Sequence, residues 1–374
     1  MFEGDITGAD FCEDGEICDV FSPKGKWLGA GFYNGNSKIR VRVLSKNTND
    51  RFDEAFWRRR VKYAVDYRRC VMGADFSCCR LIFGEADFFP GLTVDRFSDV
   101  LVCQIACLGI EKIKDIIYSA LLEELSGEIC ALYERGDAAV RSREGLESRS
   151  GFYLGQTDGT VEIVENGIKY TVDYINGQKT GFFLDQKYNR QAAARIAPGK
   201  RVLDCFTHTG AFALNAAKAG AKHVTAVDIS AEAVRMTRHN AVLNGLDGVM
   251  DFVTADVFDL LTKMREEKRR DYDYIILDPP AFTKSSSTIG NAIKGYREIN
   301  SLAMKLLPPG GYLATCSCSH FMRESLFCGM LHDAARDAGV RLRQIEARQQ
   351  SPDHPILWSV PETDYLKFYI FQIV

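Results

Sequence analysis

Residues 166–374 are predicted to form a doubly wound α/β sheet, mostly parallel, with antiparallel strands at its C-terminal end. Three observations carry this prediction. Strand-like and helix-like runs alternate at βαβ lengths, short apolar runs such as "RVLDC" (201–205) read as buried strands, and an aspartate closes run after run. The first 165 residues lack that alternation. They are predicted to hold a small β-barrel over 1–48 and an α+β linking segment over 49–165.

In chain order, "EICDVFSPKGKWLGAGFYNGNSKIRVRVLS" (16–45) is a set of short alternating strands with Gly-rich turns. A helix over "FDEAFWRRRVKYAVDYRRCV" (52–71) follows, then strands around 80–107, a helix near 111–125 and strands around 128–141. Linkers are marked only weakly, near 46–51 and 142–160. Beyond "RVLDC" come a helix, "GAFALNAAKAG", a strand, "KHVTAVD", and a helix, "SAEAVRMTRHNAVLNG", with Ser230 as N-cap and Gly245 just past its end. "MDFVTAD" and "YDYIILD" are the next strands, separated by a charged helix around 257–269. A helix near 291–307, the strand in "PPGGYLATCS", a helix over 323–339 and strands in "VRLRQIEA" and "YLKFYIFQIV" complete the chain.

Composition narrows the function. The chain has 374 residues and is 46% hydrophobic, enough for two or three globular units with real cores. No apolar stretch reaches bilayer length, and the acidic start "MFEGDITGADF" is unlike a signal peptide, so a soluble, cytoplasmic protein is expected. The 12 cysteines include no C-x-x-C pair and no zinc spacing, which argues for a reduced compartment and against a metal site. With 47 basic and 50 acidic residues the net charge is −3, so any attraction to nucleic acid must come from local basic patches.

The loop in "LDCFTHTGAFAL" (203–214) lies where a strand meets a helix, at the edge where such sheets bind ligands. It is not G-x-G-x-x-G, and Asp204 stands where a pyrophosphate would be repelled. An acid there suits a ligand with an ammonium group, as in S-adenosylmethionine. Asp228 closes the next strand, placed to accept from both ribose hydroxyls, and Asp256 closes the third, placed to meet an adenine amino group. Each acid is equally suited to cap the helix that follows it, and the two roles stay open. The fourth strand ends "LDPPAF" (277–282), a turn similar to the catalytic loop of class I methyltransferases acting on planar groups. Its prolines fix an extended path that aims the Asp278 carboxylate and nearby carbonyls at a bound base.

The fifth strand runs into "TCSCSHF" (315–321). Cys316 belongs to the strand and Cys318 lies just past its end, beside the Asp278 turn if strands four and five are neighbours. A thiol there can add to carbon 6 of a pyrimidine and turn carbon 5 into a methyl acceptor. From pattern alone a buried structural cysteine is the competing assignment, because free cysteine is among the most buried residue types.

"NGQKTGFFLDQKYNR", "LDCFTHTGAFAL", "LDPPAFTKS", "GYREIN" and "CSCSHFM", in this order and spacing, resemble the PUA-linked large-subunit ribosomal RNA cytosine-5 methyltransferases. The resemblance continues back through "LIFGEADFFPGLTVDRF" (81–97) and "GKWLGAGFYNGNSKIRVRVLS" (25–45), so it covers nearly the whole chain. It implies a PUA-like β-barrel, an α+β linker and a Rossmann-like class I methyltransferase domain. It also implies S-adenosyl-L-methionine as cofactor, large-subunit ribosomal RNA as partner, and Cys318 as nucleophile with Asp278 holding the base. Cys316 falls where the family has an ordinary strand residue. Phe182 or Phe183 is expected near adenine and Gln186 near the methionine end. Phe206, Gly210 and Pro279 complete the expected cofactor contacts, beside Asp204, Asp228 and Asp256. Related enzymes with a second catalytic cysteine carry it after the Asp-x-Pro turn, where this chain has Ala281.

The barrel is expected to be shortened relative to that family, which has a basic stretch and a "PW" segment before it. RNA contacts are therefore expected from Arg58, Arg59 and Arg60 in "FWRRRVKY" (56–63), with Arg68 and Arg69, from "RSREGLESR" (141–149), and from Lys284. A solvated helix face is the alternative for the Arg run. The competing functions are methylation of guanine nitrogen 7 or adenine nitrogen 6, or RNA binding by an inactive cofactor fold. No membrane partner is expected, and a homodimer stays open.

Overall fold

The computed structural model describes residues 1–8, 10–136, 141–283 and 285–374. They form two compact units. One comprises Met1–Ile163, Val172–Leu184 and Pro352–Val360; the other comprises Val164–Thr171, Asp185–Ser351 and Pro361–Val374.

The first unit opens with β1 (Ile17–Phe21), β2 (Trp27–Tyr33) and β3 (Val41–Ser45), antiparallel in that order. The small barrel expected here takes the form of this three-stranded sheet. Helix α1 (Glu54–Met72) starts where Asp53 accepts the Phe56 amide, and it buries Phe56, Trp57, Val61, Ala64, Val65 and Met72 along one stripe. A second sheet follows in the order β4 (Cys78–Phe83), β5 (Leu92–Phe97), β6 (Val100–Ile105), β7 (Ala131–Glu134) and β8 (Gly151–Leu154). Helix α2 (Leu108–Glu124) makes the crossover that lets β7 run parallel to β6. A two-stranded ribbon, β9 (Thr160–Glu165) with β10 (Ile168–Asp173), comes next in the chain.

The second unit is built on a seven-stranded sheet. After α3 (Lys187–Ala194) the chain alternates β11 (Arg201–Cys205), α4 (Ala211–Lys218), β12 (His223–Asp228), α5 (Ala231–Leu243), β13 (Met250–Thr254), α6 (Val257–Glu266), β14 (Tyr274–Leu277), α7 (Ile289–Leu306), β15 (Tyr312–Ser317) and α8 (Glu324–Ala338). Strands β16 (Leu342–Arg348) and β17 (Lys367–Ile373) close it in the order β13-β12-β11-β14-β15-β17-β16. The first five are mutually parallel, and β17 pairs antiparallel with both β15 and β16. All four residues of β14, Tyr274 to Leu277, are buried, as expected of a strand covered on both faces. Leu203, Cys205, Ile275, Leu277 and Leu313 pack with Tyr296, Ile299, Phe327 and Leu331 of α7 and α8 in one apolar core. The order reverses between β11 and β14, so a crevice is available at their carboxyl ends. Asp204, Asp228, Asp256, Asp278 and Cys318 all lie at that edge, at or just past the ends of five adjacent strands.

Candidate active site

The loop after β11 is shaped by backbone that only a few residues tolerate. Phe206 and His208 have φ of 63° and 51°, and Gly210 has 86°. A Cβ on Gly210 would lie 2.6 Å from Thr237 Cγ2, so this glycine serves the packing of α5 as well as the turn. Asp204 is wholly buried. Its Oδ2 accepts the Thr207 hydroxyl at 2.6 Å and the Ala213 amide at 3.0 Å, while Oδ1 accepts no hydrogen bond among the described residues. Burial pushes its carboxyl up to about 7, helped by the nearby Asp278 and Asp228 charges. Asp228 accepts the His208 amide at 2.9 Å and the Ser230 amide at 2.9 Å. Burial also holds the His208 imidazole neutral, with its pKa down to about 4. Asp256 is the N-cap of α6, accepting from Phe258 and Asp259. Its capping role is thus realised in the fold.

The second cluster surrounds Asp278. Leu277 stands opposite Thr315 across β14 and β15, and this register brings the next residue, Cys316, to the Asp278 carboxylate. The Cys316 thiol lies 2.9 Å from Asp278 Oδ1, and the Gln186 amide donates to the same oxygen at 3.2 Å. Gln186 is itself held, because its Oε1 accepts the Asn189 amide at 2.7 Å and Asn189 Oδ1 accepts Arg348 Nε at 3.1 Å. Burial pushes the Asp278 carboxyl up to about 6 and the Cys316 thiol well above its ordinary value. The sequence expectation that Cys316 is a strand residue holds. Its contact with Asp278 was missed, although neighbouring fourth and fifth strands imply it.

Cys318 is half-buried, one residue past β15, between two anchored serines. Ser317 donates to the Tyr296 hydroxyl at 3.0 Å, and Ser319 donates to the Thr283 carbonyl at 2.9 Å. Thr283 belongs to the turn that carries Asp278, so the loop of Cys318 is tied directly to that turn. Pro279 is buried, and Phe282 packs on Tyr296 with ring centroids 4.5 Å apart. Phe282 is therefore a core residue. Lys367, also missed from sequence, donates to the carbonyls of Ser319 at 2.7 Å and Tyr365 at 2.8 Å.

A family described as S-adenosylmethionine-dependent methyltransferase matches residues 112–371, and a PUA-like domain family matches residues 1–46. This chain belongs to the S-adenosylmethionine-dependent methyltransferases. Among curated relatives, ribosomal RNA large subunit methyltransferase I of Aeromonas hydrophila is 46% identical over 358 residues, covering 95% of this chain and 89% of that one. The protein of the same name from Klebsiella pneumoniae strain 342 is 42% identical, covering 100% of this chain and 94% of its own. The solved structure of SMU.776 complexed with SAH superposes with a TM-score of 0.84 at 23% identity, covering 97% of this chain and 93% of that one, which matches the fold.

The methyltransferase edge fits its cofactor chemically. A buried carboxylate oxygen left open on Asp204 suits a cationic ligand, and Asp228 is an acceptor at the end of β12. Phe182 is buried and Phe183 half-buried, both in the first unit, whereas Gln186 lies in the second. Among the described residues no group of His, Cys, Asp and Glu could hold a metal, and no helix is long and apolar enough to cross a membrane.

The Arg run of α1 differs from the expectation of a shared RNA-facing surface. Arg60 donates to the carbonyls of Phe88 and Leu44 and lies 4.3 Å from the Phe56 ring centroid. Burial lowers its pKa to about 10. Arg58 is held by Glu54 at 2.7 Å and by Glu123. Arg68 is fully buried, with Nη2 2.7 Å from Asp87 Oδ2, and Arg69 is held by Asp66 and Glu124. Of the three central arginines Arg59 is the most exposed, with its nearest acid, Asp50, 3.9 Å away. Lys284 lies outside the described residues.

Proposed function

We propose that this methyltransferase forms 5-methylcytosine in large-subunit ribosomal RNA through a transient bond between Cys318 and carbon 6 of the target base. The observation that carries the proposal is the hydrogen bond from Ser319 to the Thr283 carbonyl, which ties the Cys318 loop to the Asp278 turn. The names of the relatives support the RNA class. S-adenosylmethionine supplies an electrophilic methyl group on a sulfonium.

The protein supplies the rest. The Cys318 thiolate adds to carbon 6, and the electron pair pushed to carbon 5 makes that atom nucleophilic enough to take the methyl. Carbon 5 then loses its proton to a base or water, and the returning pair expels the thiolate as the sulfur–carbon bond breaks. Asp278, with Oδ1 fixed by Cys316 and Gln186, holds the polar edge of the base so that ring and thiol meet. Cofactor contacts are assigned to Asp204, Phe206, Gly210, Asp228, Asp256 and Pro279, with Phe182, Phe183 and Gln186. RNA contacts are assigned to Arg59 and Lys284. Division into a PUA-like segment (1–48), a linker (49–165) and a methyltransferase domain (166–374), with a cytoplasmic location, belongs to the same proposal.

Methyl transfer from labelled cofactor to total ribosomal RNA, followed by nucleoside analysis, tests it. The expected product is 5-methylcytidine. Recovery of 7-methylguanosine or N6-methyladenosine would replace the cytosine assignment, and cofactor binding without transfer would leave an RNA-binding protein.

A further inference from the structure

We infer that Lys367 is a positioning residue that clamps the Cys318 loop and places a fixed positive charge beside it, so that Cys318 is held as a reactive thiolate. The inference rests on the assignment of Cys318 as nucleophile. Lys367 begins β17, where it stands opposite Ser317 of β15, one residue before Cys318. Its side chain is almost wholly buried, at 5% exposure, and both of its hydrogen-bond acceptors are carbonyls, of Ser319 and Tyr365. It makes no ion pair among the described residues.

A lysine buried without a carboxylate partner is costly, and a merely structural site would be filled more cheaply by an apolar side chain. Here the charge stays uncompensated at contact distance while lying one residue from the thiol. The groups that act on it electrostatically are Asp364, Cys318, Glu324 and Cys316, and the exposed His320 lies within its field. Burial lowers the ammonium's pKa to about 8, so it is charged through neutral pH and loses its charge above that. The hydrogen bond to the Ser319 carbonyl fixes the loop on one side of Cys318, while the Ser319 hydroxyl fixes it to the Thr283 carbonyl. A cation near a thiol favours the thiolate, which is the form that adds to a pyrimidine.

The test is the pH dependence of Cys318 alkylation by iodoacetamide in the free full-length protein, read by peptide mass spectrometry. The wild type should show a midpoint below the ordinary thiol value of about 8.5. Lys367→Met and Lys367→Gln should each raise it by about one unit, the low end of what an opposite charge does to a neighbouring pKa, and slow alkylation at pH 7 about tenfold. The glutamine retains a donor for Ser319 without the charge, so a shift in both variants assigns the effect to charge. Melting temperature and cofactor affinity report folding, and if neither variant folds the wild-type midpoint decides. A wild-type midpoint at or above about 8.5, or a folded variant with an unchanged midpoint, overturns the inference. Alkylation needs neither RNA nor methyl transfer, so this failure is distinct from finding that Cys318→Ala still methylates.

Discussion

The Cys316 thiol and the Gln186 amide converge on one oxygen of Asp278, Oδ1, donating to it at 2.9 and 3.2 Å. Oδ2 accepts no hydrogen bond among the described residues, which leaves it for a bound base. Removing the thiol frees the carboxylate to rotate. Cys316→Ala is therefore expected to lower kcat about tenfold, the scale of one lost hydrogen bond to a charged group, while Cys316→Ser restores most of it. Single-turnover methylation by the two variants checks this, and equal rates for alanine and wild type would return Cys316 to a purely structural role.

Asp228 tests the cofactor edge. It accepts two backbone amides, of His208 and Ser230, and is assigned the ribose hydroxyls as well. Asp228→Ala is expected to weaken S-adenosylmethionine binding by about 1.5–3 kcal/mol, the range for charged hydrogen bonds. The core of the sheet is untouched, so the variant should remain folded. Calorimetry showing unaltered affinity would move the ribose contact elsewhere.

Strand ends, helix starts and the aspartates between them were legible in the sequence because apolar periodicity and capping residues are local signals. Ser230 caps α5, and Gly245 lies just beyond it with φ of 65°. Helix α3 was not legible, and the reason is physical. Besides Ala192 and Ala193 it buries Lys187, Asn189 and Arg190, and Arg190 is paired 2.6 Å from Glu165, so its inward face is largely polar and lacks the large apolar residues that mark a helix in sequence. Strand β8 fell in a stretch that reads as a linker. The same limit hid Arg60, Arg68 and Lys367, whose acceptors are carbonyls or a distant aspartate that composition cannot pair with them.

The contrast between Arg59 and Arg60 gives a third prediction. Arg60→Glu sets a carboxylate against two carbonyls and is expected to cost about 3 kcal/mol of stability. Arg59→Glu should leave the melting temperature unchanged, weaken RNA binding, and reduce the slope of log affinity against log salt by about one. Unchanged RNA affinity in Arg59→Glu would remove α1 from the RNA surface.

Two buried carboxyls make stability depend on pH. The folded pKa of Asp204 is raised to about 7 and that of Asp278 to about 6, so between the ordinary value of 3.8 and those values the folded state binds more protons than the unfolded. Their contribution is fully present below 3.8 and is lost as pH rises through 6 and 7. Cofactor-free protein should therefore lose stability between about pH 5 and about pH 7.5 through these groups, as read by denaturant titration. Asp204→Asn should flatten that dependence, and an undiminished slope would assign it to other groups.

Covalent trapping tests the central claim most directly. Ribosomal RNA containing 5-fluorocytidine is incubated with enzyme and S-adenosylmethionine, denatured, digested and mapped by mass spectrometry. Fluorine cannot leave carbon 5 as a proton does, so the adduct formed on Cys318 should persist after methyl transfer and be absent from Cys318→Ala. An adduct on another cysteine, or normal methylation by Cys318→Ala, would contradict the account.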